Sequence, residues 1–468
     1  MVFSDLDFLY FFLPLVLILY FPCKNLVWRN SVLLVFSLVF YAWGEPKRIA
    51  LMLLASLVAY LGGLLIEKFK TDGKKSACRA VFVATTVLLI LNLFVFKYLN
   101  FAVDNINLLL SRDITIPQIL LPIGISFYTF QILSYVFDLY LGNVKVQKNY
   151  FYLTLYVTFF PQLIAGPIVR YQTVEEEIHE RSTNIESFAH GLRRFIRGLA
   201  KKILLANNVA VICETVYAGE VQVFGTAFYW LAAVAYSLQL YFDFSGYSDM
   251  AIGLGEIFGF HFLENFDHPY ISCSVTEFWR RWHISLSTWF RDYIYIPMGG
   301  NRVGKVRHII NIMTVWALTG FWHGAQWNFI IWGIYYGVLL LVEKFLLGKL
   351  LKKLPKIFGW IYTMFFVIIG WVLFNLTDFS KLAMAIKTMF SAVPTDLAAI
   401  MTAHSDKLFE LCFIPVALIF MLPIRKRFDK FSGTGATIAA NLVHLLLFAV
   451  CIIFSISSSY NPFIYFRF

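Results

Sequence analysis

Long apolar runs separated by short polar segments dominate the sequence. A helix needs about 20 mainly apolar residues to cross about 30 Å of hydrocarbon. The runs are too long and too uniformly apolar to be the alternating strands of a membrane barrel. The pattern therefore predicts an all-α, polytopic membrane protein with about eleven to twelve crossings. The predicted spans lie near residues 7–22, 28–43, 49–66, 79–98, 118–140, 150–168, 226–244, 308–323, 326–347, 358–376, 408–424 and 436–456.

Composition supports the same class. Of the 468 residues, 59% are hydrophobic and 14% are charged, and the mean hydropathy is +0.70. Soluble domains are nearer to about half apolar and about a quarter charged. The first run has no basic segment before it and no small-residue cleavage site, so we expect a retained first span. The six cysteines are scattered, and neither a disulfide framework nor a metal site is expected.

The net charge of +11 comes from short basic clusters between the apolar runs. The positive-inside rule produces this distribution, so nucleic-acid binding is not expected. The clusters place three loops in the cytoplasm and both chain termini outside. They contain Lys68, Lys70, Lys74, Lys75 and Arg79, then Lys349, Lys352, Lys353 and Lys356, then Arg425, Lys426, Arg427 and Lys430.

The simple pattern fails between residues 170 and 302. The basic stretch 193–202 alternates with apolar residues at helical spacing, which predicts an amphipathic helix on an anionic membrane surface. Contact with a phosphate or a coenzyme is the alternative. Residues 239–302 are aromatic yet rich in ionisable side chains, each of which would cost about 2.5–3.5 kcal/mol at mid-bilayer. We therefore expect them to face a protein interior or a water-filled cavity, and place the functional region here.

His323 ends the apolar run IINIMTVWALTGFWHGAQW. We expect Trp316, Trp322 and Trp327 to enclose it, and Gly320 and Gly324 lie beside it in the sequence. Small residues allow another backbone or a substrate to approach closely. A buried imidazole stays neutral and can accept a proton near pH 7, as a general base must. A structural histidine that bonds across helices is the equal alternative.

His283 lies in the segment TEFWRRWHISLSTWFRDYIYIP. On one continuous helix, Trp279, His283 and Ser287 would share a face at i, i+4 spacing. Glu277 and Arg281 could pair at the same spacing, which would lower the cost of their charges. Arg280, Arg281 and Arg291 are candidates to hold the phosphates of an anionic donor. Interfacial anchoring by Trp and Arg is the equal alternative.

Other titratable residues give weaker signals. Asp243 and Asp249 are candidates to orient a histidine or to line a cavity, and pairing between helices is the equal alternative. His261, Asp267 and His268 have a spacing that only weakly suggests a metal site. His444 lies inside the last apolar run and is expected to be a packing histidine. These residues are all in apolar or aromatic surroundings.

Several long motifs resemble the membrane-bound O-acyltransferase superfamily, and most closely its bacterial branch of alginate O-acetyltransferases and D-alanyl transferases. The resemblance spans nearly the whole chain. It is carried by FYAWGEPKRI (40–49), PIGISFYTFQILSYVFDLY (122–140), FFPQLIAGPIVRY (159–171), QLYFDFSGYSDMAIGLGEIFGF (239–260), EFWRRWHISLSTWFRDYIYIPMGGNR (277–302), GFWHGAQWNFIIWG (320–333) and the tail NPFIYFRF (461–468).

The resemblance implies a single transmembrane domain over residues 1–468, with its catalytic region at about 120–345 and a ring of helices around a central funnel. It implies that His323 is the general base and that His283 orients the donor carbonyl or assists proton transfer. Trp279, Trp282 and Trp322 would shape and dry the site. With no cofactor bound, the enzyme would take an acyl thioester such as acetyl-CoA from the cytoplasm.

The acceptor implied by the resemblance is an extracytoplasmic polysaccharide, and the partner is an exported protein similar to SGNH hydrolases. The expected location is a bacterial cell membrane, in contact with its lipids. The segment GGNR (299–302) and the stretch QLYFDFSGYSD favour O-acetylation. D-alanyl transfer from a carrier protein is the alternative within the family. A transporter or flippase is the alternative of another class, although no two similar halves are visible.

Overall fold

The computed structural model describes residues 1–424, 433–457 and 463–464, and within these ranges the chain is helical, with no β-strand. The predicted all-α class is confirmed. The helices before residue 220 are α1 Leu13–Tyr20, α2 Leu26–Gly44, α3 Ile49–Thr71, α4 Lys75–Leu110, α5 Ile125–Leu141, α6 Tyr150–Thr158, α7 Phe160–Leu163, α8 Tyr171–His179, α9 Ile185–Ala200 and α10 Asn207–Ala218.

The remaining α-helices are α11 Val221–Ile257, α12 Val275–Arg281, α13 Ile284–Phe290, α14 Lys305–His323, α15 Trp327–Val342, α16 Gly348–Lys353, α17 Lys356–Asn375, α18 Phe379–Met389, α19 Leu397–Ala403, α20 Phe413–Phe420 and α21 Thr434–Ser457. Short π-helices occupy Phe8–Phe12, Lys201–Ala206, Arg291–Tyr295 and Glu343–Leu347, and 3-10 helices occupy Pro269–Ile271 and Ser405–Cys412.

Seven of the described helices are long and apolar enough to cross a membrane, which confirms the polytopic class. They are Leu26–Gly44, Ile49–Thr71, Lys75–Leu110, Val221–Ile257, Trp327–Lys353, Lys356–Asn375 and Gly435–Ser457. The orientation inferred from the basic clusters stays a prediction, and the cluster at 425–430 lies outside the described residues.

The other five of the twelve predicted spans are not long, uninterrupted apolar helices. The run at 150–168 breaks at Phe159, where the backbone turns before Pro161 in α7. The run at 118–140 becomes helical only at Ile125, after Gly124 adopts a φ of 74°. The first run is a shorter apolar helix, and α14 keeps polar residues along its 19 positions. The run at 408–424 is split between a 3-10 helix and α20.

The chain forms two compact units. The first contains residues 1–195 and 248–264, and the second contains residues 196–247 and 265–468. His283 and His323 both belong to the second unit, so their surroundings can be described within it. The single domain predicted over residues 1–468 stays a prediction.

Helices α14 and α15 form a closely packed hairpin in the second unit. A Cβ atom at Gly320 would overlap the carbonyl of Phe329, and one at Gly333 would overlap the carbonyl of Trp316. The two helices therefore touch through their backbones, as small residues allow in membranes. This confirms the close approach predicted next to His323 and fixes the end of α14 against α15.

Charged side chains of the basic stretch 193–202 pair inside the protein. Arg194 lies 2.9 Å from Asp249 and 2.5 Å from Glu264, all within the first unit. In the second unit, buried Lys202 lies 2.6 Å from Asp243. The other oxygen of Asp243 accepts the backbone N–H of Ile464 at 2.8 Å. Arg194 and Lys202 of the predicted amphipathic helix therefore have protein partners, and its contact with an anionic membrane surface stays a prediction.

Candidate active site

Three aromatic rings surround His323 at the end of α14. The ring centroids of Trp322, Trp332 and Phe374 lie 4.9, 5.1 and 5.2 Å from that of the imidazole. His323 is 5% exposed, so the rings leave its imidazole little contact with bulk water. Trp322 was expected in this cage, whereas Trp332 and Phe374 were not. Trp327, which was also expected there, is half exposed.

His283 lies at a break between α12 and α13. Helix α12 ends at Arg281, Trp282 is extended, and His283 adopts a left-handed conformation with φ 46° and ψ 55°. The continuous helix carrying Trp279, His283 and Ser287 on one face is therefore wrong. Ser287 still contacts α12, because its hydroxyl donates a hydrogen bond to the carbonyl of Trp279 at 3.3 Å.

The break brings His283 to a buried polar group. Its Nδ1 lies 3.2 Å from Oδ1 of Asn265, which also accepts the N–H of Ser285 at 3.2 Å and its hydroxyl at 2.9 Å. The ring centroids of Phe244 and Trp322 lie 4.7 and 5.9 Å from that of His283. Trp322 thus contacts both histidines, so the structure brings the two predicted catalytic residues to one aromatic cluster.

A basic cavity of about 830 Å³ opens beside α12. The cations that line it are Arg280, Lys344, Lys349, Lys352 and Lys356. Two carboxylates also line it, but both are engaged: Glu277 lies 2.9 Å from Arg281, and Glu343 accepts backbone N–H groups of α12. The cavity is therefore positive, and its apolar lining includes Trp316, Leu340 and Ile312.

Three tryptophans, here called the tryptophan wall, separate this cavity from His323. Trp316 lines the cavity and lies 4.7 Å from Trp279 and 6.1 Å from Trp332. Trp279 lies 5.4 Å from Trp332, which in turn lies against His323. The rings of Trp316 and Trp332 therefore stand between the positive cavity and the imidazole, and the Trp279 ring packs against both of them.

The remaining predicted residues pair or pack with groups other than the two histidines. Arg281 bonds to Asp267 and Glu277, which confirms the predicted i, i+4 pair and leaves Arg280 as the α12 cation in the cavity. Arg291 pairs with Asp292 at 2.7 Å, and that hydrogen bond raises the pKa of Arg291. Trp282 packs among aromatic core side chains such as Trp371, at 4.8 Å.

Asp243 and Asp249 are helix-pairing residues in the structure, bonded to Lys202 and Arg194 respectively. His261 bonds to Glu177, and His268 faces the carbonyl of Met421. Among the described residues no three His, Cys, Asp or Glu side chains could together hold a metal ion. The electrostatic features of the site are therefore the lysine-rich cavity and the two buried imidazoles.

Two polar residues of the site were not predicted. Glu343 is buried, and its carboxylate accepts the N–H groups of Val275 and Thr276 at 2.5 and 2.8 Å, which caps α12. A lone acid at the end of the apolar run LLLVEKFLL was the available signal, because such a charge needs a partner. No comparable signal marks Asn265, since an asparagine in the loop HFLENFDHP reads as a turn residue.

Comparison with known proteins identifies the family. Residues 144–380 match the model of MBOAT, the membrane-bound O-acyltransferase family. A protein of Pseudomonas putida named "Probable alginate O-acetylase AlgI" is 38% identical over the full length of both chains. A peptidoglycan O-acetyltransferase of Helicobacter pylori is 31% identical, over 98% of this chain and 96% of its own. A teichoic acid D-alanyltransferase of Bacillus subtilis is 32% identical, over 54% of this chain and 68% of its own.

The family match covers α12 to α15, with both histidines and the basic cavity. The full-length relatives extend the similarity to the spans on either side. Together with the seven membrane-spanning helices, these matches bear out the enzyme class and the membrane location predicted from the motifs. The chain belongs to the membrane-bound O-acyltransferase family and is a multi-pass O-acyltransferase of the cell membrane.

Proposed function

We propose that the protein transfers an acetyl group from a cytoplasmic thioester to a hydroxyl of an extracytoplasmic polysaccharide. The observation that carries this proposal is the order of features within the second unit: a positive cavity, the tryptophan wall, and then His323. The names of the two full-length relatives, which both describe O-acetylation, support acetyl as the group transferred.

The basic cavity is the donor site of this proposal. Acetyl-CoA carries several phosphates, and Lys and Arg bind phosphate through charge-assisted hydrogen bonds. Arg280, Lys349 and Lys352 line the same cavity as apolar residues that suit the less polar arm of the donor. The cavity lies among the lysines predicted to be cytoplasmic, where such a donor is available. For the thioester to meet His323, the side chains of the tryptophan wall have to shift.

His323 is the general base of the proposed reaction. It removes the proton of the acceptor hydroxyl, whose oxygen attacks the thioester carbonyl. The new C–O bond forms, the C–S bond breaks, and the proton passes to the leaving thiolate, giving an ester and a free thiol. A water-excluded imidazole favours this order because general bases work best when they are neutral near the working pH. His283, whose ring also contacts Trp322, assists this reaction.

The acceptor is delivered from the outer side, and an exported SGNH-hydrolase-like partner completes the polysaccharide modification in this proposal. D-alanyl transfer from a carrier protein remains the second candidate, because one relative that matches about half of this chain is named a teichoic acid D-alanyltransferase. The two candidates differ in the donor: free acetyl-CoA for the first, and a charged carrier protein for the second.

The test uses purified protein in proteoliposomes with labelled acetyl-CoA or a charged carrier protein. We expect label transfer from acetyl-CoA, and loss of that transfer in His323→Ala. The matched control is His444→Ala, which removes a partly buried histidine from α21, where its Nδ1 bonds to the carbonyl of Ala440. Normal polysaccharide acetylation by a folded His323→Ala protein would refute the base assignment. Label transfer from the carrier alone would select D-alanylation.

A further inference from the structure

Asn265 is a buried amide whose side-chain oxygen has three neighbours. The backbone N–H of Ser285 lies 3.2 Å from Oδ1, the Ser285 hydroxyl lies 2.9 Å from it, and Nδ1 of His283 lies 3.2 Å from it. Asn265 and His283 are each 1% exposed, so water does not compete for these contacts. These contacts determine which atoms of Asn265 and His283 carry hydrogen.

A backbone N–H can only donate a hydrogen bond. The atom of Asn265 that faces Ser285 N must therefore accept, which identifies it as the amide oxygen and rules out the flipped amide. The Ser285 hydroxyl also lies 3.4 Å from Nδ1 of His283, but it donates its hydrogen to Oδ1 of Asn265 at the shorter distance of 2.9 Å. Nδ1 faces the same oxygen acceptor, and it therefore carries the hydrogen of the imidazole. A neutral imidazole has one N–H, so Nε2 of His283 is then its acceptor nitrogen.

The same loop also holds the backbone of His283. The N–H of Ile284 donates to the carbonyl of Asn265 at 3.0 Å, and the N–H of Asp267 donates to the carbonyl of Arg281 at 3.0 Å. These two hydrogen bonds hold the backbone on either side of His283, which has a positive φ. Residues other than glycine keep such a conformation when the surrounding structure imposes it. Asn265 thus constrains both the position of the imidazole and its tautomer.

We propose that Asn265 is a positioning residue that fixes His283 in its Nδ1–H form, so that Nε2 of His283 accepts a proton or a hydrogen bond during acyl transfer. This inference rests on the proposed function, and it decides between the two roles considered for His283. An acceptor nitrogen cannot donate to the thioester carbonyl, so His283 assists proton transfer and does not orient that carbonyl.

Several charged groups lie on the segments that pack against His283. Arg281 lies two residues before it and bonds to Glu277 and to Asp267, while Arg280 lines the basic cavity. On α11, whose Phe244 contacts the imidazole, Asp243 is paired with Lys202, and His323 lies against the same Trp322 ring as His283. Asn265 contacts Nδ1 itself, so a change of charge at Asn265 acts on His283 directly.

The experiment compares Asn265→Ala and Asn265→Asp in the acetyl-CoA assay. In Asn265→Ala the tautomer of His283 is no longer fixed. We expect kcat to fall about 10- to 100-fold, as it does when residues that orient a metal-bound histidine are replaced. KM for the donor should stay unchanged. In Asn265→Asp the carboxylate accepts the same bonds and stabilises the protonated imidazole. The acidic limb of the kcat profile should therefore move to higher pH.

The matched control is Asn311→Ala, since Asn311 is equally buried and donates to the backbone carbonyls of Met298 and Gly300. It should lower the amount of folded protein and leave the pH profile unchanged. Wild-type kcat in Asn265→Ala, or an unmoved acidic limb in Asn265→Asp, would overturn the inference. If Asn265→Asp fails to fold, ¹⁵N resonances of wild-type histidines, assigned by comparison with His283→Gln, decide instead: an unprotonated Nδ1 overturns the inference.

Failure of this inference can be told apart from failure of the proposed function. If His323→Ala is inactive while Asn265→Ala keeps full activity, only the role of Asn265 is rejected. If the wild-type protein transfers no label from acetyl-CoA, the proposed function itself is rejected, and the tautomer measured by ¹⁵N resonance still reports on Asn265.

Discussion

Trp279 is the residue of the tryptophan wall that packs against both of the other two rings. Its ring touches Trp316 on the cavity side and Trp332 on the His323 side, and its own contact with the core includes Tyr336 at 4.8 Å. An enzyme that holds a thioester near a base has to exclude water, or the donor is hydrolysed without an acceptor. The size of this one side chain therefore affects the fidelity of transfer.

We expect Trp279→Leu to raise the hydrolysis of acetyl-CoA several-fold in the absence of an acceptor, because the smaller side chain opens a path for water through the tryptophan wall. Release of free acetate, divided by transfer to polysaccharide, measures the effect. Trp279→Phe is the matched control and should stay near the wild-type ratio, since a ring still fills most of the space. An unchanged ratio in Trp279→Leu would contradict the role of the wall.

At the scale of elements, the end of α14 is held by its contact with α15. Gly320 lies one turn before His323, and the carbonyl of Phe329 occupies the space that a Cβ would need. Any added atom must push the helices apart or shift the carbonyl, and overpacking of this kind costs about 1–3 kcal/mol. The position of His323 depends on that contact.

Gly320→Ala should lower the unfolding free energy by about 1–3 kcal/mol and reduce kcat as well. Thermal unfolding in detergent and the acetylation assay measure the two effects. Gly304→Ala, at the residue just before the same helix, is the control, because no heavy atom lies within 4 Å of a Cβ built there. Equal melting temperatures for the two variants would show that the hairpin tolerates the extra methyl group.

Helix α12 depends on Glu343 for its first turn. Removal of the carboxylate in Glu343→Ala leaves the N–H groups of Val275 and Thr276 unpaired in a buried place, and each such loss costs about 1–3 kcal/mol. We expect lower thermal stability and a higher KM for the donor, since α12 carries Arg280 into the cavity.

Glu343→Gln retains an acceptor oxygen and should fall between the wild type and Glu343→Ala in both stability and KM. That graded order is the result to look for, because it separates lost capping from lost charge. If the two variants behave alike, the negative charge rather than the hydrogen bonds to α12 is what matters at this position.

Sequence reasoning was most successful for periodic and apolar elements. The run that ends at His323 predicted a helix, and the structure has one over Lys305–His323. It failed at the break beside His283, because neither Gly nor Pro marks that point in RRWHIS. The left-handed turn there is stabilised by contacts with Asn265, which lies 18 positions earlier. Contacts between positions far apart in the chain do not produce a periodic pattern of residue types in the sequence.

The same limit applies to the charged residues of α11. Asp243 and Asp249 stood out because carboxylates are costly inside membranes, but the sequence did not reveal which cations they would meet. Lys202 and Arg194 became their partners through folding. The site residues from the family motifs, His283 and His323, do lie in one aromatic cluster, although their catalytic roles stay predictions.

At the scale of the whole molecule, charge is distributed unevenly. The second unit gathers Lys344, Lys349, Lys352 and Lys356 beside Arg280 at one cavity. The α18 segment, which the predicted orientation puts on the other side of the membrane, carries isolated lysines such as Lys387. The proposed donor, with its phosphates, would therefore be attracted to the cavity face of the second unit.

The double variant Lys349→Glu with Lys352→Glu should raise KM for acetyl-CoA about tenfold or more, because a tenfold change in binding corresponds to only about 1.4 kcal/mol. The effect should shrink as salt is added, since the lost attraction is electrostatic. Initial rates over a range of donor and salt concentrations measure both. Lys387→Glu is the control and should leave KM unchanged, and a KM for the double variant equal to that of the control would argue against the cavity as the donor site.

The contact between Asp243 and the backbone of Ile464 has a consequence for synthesis. Ile464 lies 221 positions after Asp243, and it is buried beside the pair of Asp243 with Lys202. Ribosomes release the chain from its first residue onward, so this bond forms only after the helices from α12 to α21 have been made. During synthesis the buried carboxylate of Asp243 therefore has its Lys202 partner in the chain long before it gains the backbone N–H of Ile464.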